Sequence, residues 1–206
     1  MRGLAALREA VAEYHRRRQG ITRTGAQVLI GPGSKELMFL LPLVYHGDLL
    51  IPLPAWVSYA PQAEILGRPV CRIPTRREND WKLPPDELER ICASHADRPR
   101  LLLLNTPHNP TGHSYSREEL TAIADVARRH RLVVLSDEIY AELLCHVEAR
   151  AGGVPSLRAL EAGENPGVRS ADCSFAVERG RRTSSRRSPW YSPRLARRAR
   201  KRVYSE

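Results

Sequence analysis

Two short apolar runs, Leu101–Leu104 and Leu132–Leu135, anchor the hydrophobic pattern of the chain. Each ends in a polar loop, the first at Asn105-Thr106-Pro107-His108-Asn109-Pro110-Thr111-Gly112 and the second at Ser136-Asp137-Glu138-Ile139-Tyr140. Between them Ser116 to His130 carries apolar residues at helical spacing, so the stretch predicts strand, loop, helix, strand, loop. Asn109 and Asp137 then fall just past the C-terminal ends of two parallel strands, where open α/β sheets bind ligands.

Upstream the alternation continues. Leu4, Leu7, Ala10, Val11 and Tyr14 predict an amphipathic helix stopping at Gly20. Val28-Leu29-Ile30 predicts a short strand running into Gly31-Pro32-Gly33-Ser34-Lys35, with Ser34 as cap of a helix from Glu36 to about Leu41. Backbone N–H groups of such a turn suit an anion. Asp48–Ile51 and Pro69–Ile73 predict strands flanking a helix that Trp56 and Tyr59 open, and Pro84-Pro85 starts a helix reaching about Ser94. Strands alternating with helices imply a three-layer αβα domain with a mostly parallel sheet. From about Gly152 no strand or apolar helix face is predicted.

Composition refines this picture. The 206 residues are 42% apolar and 27% charged, ordinary for a globular protein. No apolar run reaches the roughly 18 residues that a membrane helix needs. The N-terminus lacks a signal-peptide core, so a cytoplasmic location without membrane partners is expected. Cys71, Cys92, Cys145 and Cys173 are too scattered for a zinc site or a disulfide framework, and no metal is expected. The net charge of +10 lies mainly in residues 151–206, which hold 13 Lys+Arg against 5 Asp+Glu. That stretch, with ten Arg between Arg179 and Arg202, is expected to be a disordered basic tail.

Four motifs in order, Gly33-Ser34-Lys35, Trp56-Val57-Ser58-Tyr59, Asn109-Pro110-Thr111-Gly112 and Asp137-Glu138-Ile139-Tyr140, resemble the class I/II aminotransferases of fold type I. The resemblance covers roughly residues 3 to 145, and it implies that residues 1–150 form part of a pyridoxal 5'-phosphate-binding large domain. It implies that Asp137 pairs with the cofactor's pyridine nitrogen and that Asn109 and Tyr140 meet its phenolic oxygen. Trp56 would stack on the ring, and Gly33, Ser34 and Lys35 would hold the phosphate. His108 and His113 are read as loop residues without chemical duty. The expected partners are an amino acid, a 2-oxo acid and a second copy of the chain.

The family also needs a lysine to hold its cofactor as a Schiff base. The corresponding region here, Asn165 to Arg187, contains none, and the lysines of the chain are Lys35, Lys82 and Lys201. No catalytic residue is therefore assigned. The chain is expected to be a truncated aminotransferase, inactive alone, binding the cofactor at most non-covalently. Its tail has the composition of an out-of-frame reading of GC-rich sequence. Two alternatives remain: a related fold-type I lyase or synthase-like protein, and a nucleic-acid binder acting through the Arg-rich tail with Trp190 and Tyr191. Nucleic acid is not the expected partner.

Overall fold

In the computed structural model of the chain, residues 2–94 and 98–141 are described, together with the backbone of residues 169–172. Five strands, β1 (Asp48–Leu53), β2 (Val70–Pro74), β3 (Arg100–Asn105), β4 (Val133–Asp137) and β5 (Arg169–Asp172), form one sheet. Their order is β2-β1-β3-β4-β5, and every pairing is parallel. The helices are α1 (Ala5–Gln19), α2 (Ser34–Val44), α3 (Tyr59–Ile65), α4 (Pro85–Ser94) and α5 (Arg117–Arg129).

The leucine run of β3 shows why the sheet is covered twice. Successive side chains of a strand point to opposite faces. Leu101 and Leu103 join Leu49, Ile51 and Leu135 in a core with Met38 of α2 and with Tyr59 and Ala63 of α3. Leu102 and Leu104 join Leu50, Ile73 and Val134 in a second core with Leu88 and Ile91 of α4 and with Leu120 and Ile123 of α5. All six residues of β3 are buried, so an uninterrupted apolar run is what this central strand requires. The predicted three-layer arrangement is borne out.

Strand order decides which face each helix takes. The chain steps outward from β1 to β2 through α3, then returns past β1 to β3 through α4 and on to β4 through α5. Right-handed crossovers put helices on opposite faces when the direction of travel reverses. The reversal opens a crevice between β1 and β3 at their C-terminal ends, the usual ligand position in such sheets.

Several details differ from expectation. Val28–Ile30 is not a strand of the sheet: it follows a 3-10 turn at Gly25–Gln27, and the Ile30 N–H donates to the Arg2 carbonyl at 3.1 Å. A run this short, followed at once by Gly31-Pro32-Gly33, pairs with the N-terminal arm instead. Ser34 does not cap α2. Gly33 is the N-cap residue, at φ 149° and ψ 156°, and Ser34 is the first helical residue. That backbone conformation is essentially reserved for glycine. Helix α1 exists and stops at Gly20, yet it buries Ala12 and His15 while Leu4 and Tyr14 stay exposed. Its contacts explain this: Arg8 donates to the Gly25 carbonyl at 2.7 Å and Glu9 accepts from the Gly25 N–H at 3.2 Å, so polar bonds set its orientation. Strand β5, Arg-Ser-Ala-Asp, lies where no strand is predicted. It lacks an apolar run, and its register follows from the free edge of β4. The expected disorder of the tail falls outside the described residues.

Candidate functional site

The site begins with strand register. In the β3–β4 ladder Leu101 pairs with Val133, and the same register brings Asn105 opposite Asp137 at the C-terminal edge. By strand alternation both belong to the face of Leu101, Leu103 and Leu135, the face covered by α2 and α3. Asn105 donates from Nδ2 to the Asp137 carbonyl at 2.9 Å, and the Thr106 N–H donates to the same oxygen at 3.0 Å. The two strand ends are thereby fixed to one another before either loop begins.

Asp137 is only 3% exposed, and its carboxylate has no cationic partner among the described residues. Its Oδ2 accepts from the Tyr59 hydroxyl at 2.5 Å and its Oδ1 from the Ile139 N–H at 3.2 Å. Burial pushes this carboxyl above the ordinary aspartate range; the Tyr59 and Ile139 donors pull it down, and neighbouring Glu138 adds to the rise. A buried carboxylate that meets only neutral donors among the described residues is suited to receive a protonated nitrogen heterocycle.

Asn109 is held by its own strand end, its N–H donating to Asn105 Oδ1 at 2.7 Å. Its side chain donates to the Tyr140 hydroxyl at 3.1 Å, so the loops after β3 and β4 meet. On the other side Trp56 meets Tyr59 edge to face, with ring centroids 5.4 Å apart. Lys35 Nζ lies 5.4 Å from the Trp56 ring centroid, within cation–π reach. Gln62 of α3 donates to the Lys35 carbonyl at 2.9 Å, fixing the start of α2 against α3. The first N–H groups of α2 lack intrahelical acceptors by helix geometry.

One chain of contacts thus runs Lys35, Trp56, Tyr59, Asp137, Asn105, Asn109, Tyr140, and Gly33 and Ser34 start the helix that carries Lys35. Every predicted site residue lies on it or beside it. Two members were not predicted as site residues, Tyr59 and Asn105. Tyr59 stands three residues after Trp56 across the turn that leads into α3, its N–H donating to the Trp56 carbonyl at 3.2 Å. Asn105 stands four residues before Asn109 as the last residue of its strand. Ile51, Ala55, Tyr59, Asn105 and His108 line a small hollow at the β1–β3 crevice. Lys82 takes no part: its ammonium binds both carboxylate oxygens of Glu119 at 3.0 Å.

Residues 1–165 match the family model described as aminotransferase class I and II. The chain belongs to that family. It is 39% identical to aromatic-amino-acid aminotransferase 2 of Thermococcus litoralis over 142 residues, which is 67% of this chain and 36% of that protein. It is 33% identical to the aspartate aminotransferase of Bacillus subtilis over 144 residues, 68% of this chain and 36% of that protein. Among solved structures, an aspartate aminotransferase single mutant of Thermus thermophilus superposes with a TM-score of 0.71 at 30% identity, covering 83% of this chain and 43% of that one. The aspartate aminotransferase of Rhizobium meliloti gives 0.70 at 25% identity, over 82% and 41%. The chain therefore spans little more than a third of the length of the curated relatives it matches. The family-level fold expectation, fold type I, stands.

Proposed function

We propose that this chain supplies the ring-binding part of a pyridoxal 5'-phosphate site serving amino-group transfer from an amino acid to a 2-oxo acid. Family membership implies that cofactor, and the donor set fits it. The observation carrying the proposal is Asp137, buried at the end of β4 without a cation among the described residues and linked through Asn105 to the Asn109–Tyr140 pair. Asp137 would hold a proton on the pyridine nitrogen, because an anion in a dry site favours the charged form of its partner. Asn109 and Tyr140 would hydrogen-bond the phenolic oxygen, and Trp56 would cover the ring. Gly33, Ser34 and Lys35 would present N–H groups to the phosphate. When bound, the cofactor supplies an electron sink for carbanion chemistry.

The chain is proposed to bind the cofactor non-covalently and to be inactive alone, a reading supported by the lack of lysine between Asn165 and Arg187. Lys35 packs on Trp56 and Lys82 is committed to Glu119. Lys201 lies outside the described residues. A second copy of the chain is the proposed partner, supported by Leu40, Leu43 and Val44, which α2 leaves exposed.

Titration of the full chain with pyridoxal phosphate, followed by tryptophan fluorescence and visible absorbance, tests the reading. Saturable binding, weakened about tenfold or more in Asp137→Asn as loss of a charged hydrogen bond implies, is expected. Binding that ignores Asp137→Asn would overturn the assignment, and a borohydride-trapped adduct at one lysine would overturn the non-covalent mode.

A further inference from the structure

Helix α1 buries Ala12 and His15 alone among its residues, so polar bonds rather than an apolar face fix where it lies. Near its start the Arg8 guanidinium donates to the Gly25 carbonyl at 2.7 Å and to the Gly3 carbonyl at 3.3 Å, while Glu9 accepts from the Gly25 N–H at 3.2 Å. Consecutive side chains of the helix thus hold both main-chain groups of one residue. A Cβ at Gly25 would collide with the Glu9 carboxylate, so glycine is what lets that carboxylate reach the N–H. The N-terminal arm continues the lacing. The Arg2 guanidinium donates to the Ala26 carbonyl at 2.9 Å, and the Arg2 carbonyl accepts from the Ile30 N–H at 3.1 Å. Ile30 leads into Gly31-Pro32-Gly33, where a Cβ at Gly31 would lie 2.7 Å from Leu37 Cδ2, so the segment passes to α2 with little slack.

The last residue of α1, Gln19, faces the loop after β4. Its Oε1 lies 3.0 Å from His15 Nδ1, and its amide nitrogen donates to Glu138 Oε2 at 3.5 Å. Glu138 is buried, and its Oε1 accepts from the Ser136 hydroxyl at 2.8 Å. Ser136 and Glu138 flank Asp137, so this bond brackets its backbone. We propose that α1 is a positioning element of the site: Arg8 and Glu9 set the approach to the Gly33–Lys35 cradle, and Gln19 sets the loop of Asp137 through Glu138. From Glu9 to Gln19 a helix rises about 15 Å, so one rod reaches both ends of the site. The inference rests on the proposed cofactor reading, since the cradle and Asp137 are the phosphate and ring-nitrogen ends of that site.

NMR of the unliganded full chain tests it. In Glu9→Ala, a change at an exposed position, hydrogen exchange at the Gly25 amide should rise about tenfold, as loss of one bond to a charged group implies. The Gly33, Ser34 and Lys35 amide signals should move in Glu9→Ala and in Gly25→Ala, whose methyl displaces the Glu9 carboxylate. Glu9→Gln keeps an acceptor and should leave them near their wild-type positions. Gln19→Ala should move the side-chain carboxyl signals of Glu138 and Asp137 in carbon-13 spectra. The amides of Leu102 and Val134, in the core on the other face of the sheet, should stay in place throughout. Cradle amides that ignore Glu9→Ala and Gly25→Ala, an Asp137 carboxyl that ignores Gln19→Ala, or equal shifts at Leu102 and Val134 would overturn the proposal. Pyridoxal phosphate titration keeps the two claims apart. Binding weakened in Glu9→Ala and recovered in Glu9→Gln is expected, and equal affinity in wild type and Glu9→Ala would overturn the positioning role. A wild-type chain that fails to bind removes the functional reading, while the unliganded spectra still decide what α1 positions.

Discussion

Replacing Tyr59 with phenylalanine removes one atom from the centre of the site and makes the sharpest prediction. The hydroxyl donates at 2.5 Å to Asp137 Oδ2, and both residues are 3% exposed, so water cannot replace the lost donor. At neutral pH a hydrogen bond to a charged buried group is worth about 1.5–3 kcal/mol, and Tyr59→Phe should destabilise the chain by that amount in urea unfolding. The cost should shrink to about 0.5–1.5 kcal/mol at a pH low enough to protonate Asp137, where the bond joins two neutral groups. The sign follows from linkage. The folded-state carboxyl titrates above its unfolded value, so its contribution is fully present below the unfolded pKa and is lost as pH rises through the folded one. Without the hydroxyl the carboxyl rises further, which moves the upper end of that window toward neutrality. Carbon-13 NMR of the Asp137 carboxyl gives the titration directly. An equal destabilisation at both pH values, or an unmoved Asp137 titration in Tyr59→Phe, would refute the reasoning.

Three further outcomes are expected. Leu102→Ala opens a cavity between β3 and the α4–α5 layer, where Leu102 is wholly buried, and should cost about 2–5 kcal/mol in urea unfolding. Ser116→Ala removes the acceptor of the Glu119 N–H and half of the reciprocal cap on α5, costing about 1 kcal/mol by thermal or chemical melting. Tyr115, whose hydroxyl accepts from the Leu83 N–H at 2.9 Å, is pushed up by burial to about 12 from 10.0. Stability should therefore fall as pH rises between those values, because the unfolded phenol ionises first. Ultraviolet difference titration should show a late-ionising tyrosine contribution that Tyr115→Phe lacks.

Much of the fold was legible because its strands are buried on both faces. Continuous apolar runs such as Leu101–Leu104 mark central parallel strands, and the polar loops after them mark the ligand edge of the sheet. The extent of α5 was legible too, since the apolar-periodic stretch from Ser116 to His130 is bounded by its two cap residues. Elements with weak local signals were not. Val28–Ile30 has strand-like composition but bonds to the N-terminal arm through Ile30 and Arg2, while β5 has no strand-like composition and joins the edge that β4 presents.

The sequence by itself determined the family and the layer architecture, and it put Asn109 and Asp137 at the C-terminal side of β3 and β4, because buried strands and the polar loops that follow them are marked by local chemistry. Tertiary structure alone decided what those residues touch. Tyr59 reaches Asp137 across 78 positions of chain, and Asn105 meets it only because the β3–β4 register is what it is. His108, read as a loop residue without duty, lines a hollow with Ala55 and Tyr59 only once the two loops are side by side. Local patterns encode turns, caps and strand faces, since these depend on neighbours in sequence. Hydrogen bonds between distant loops depend on strand order and register, which no single segment contains.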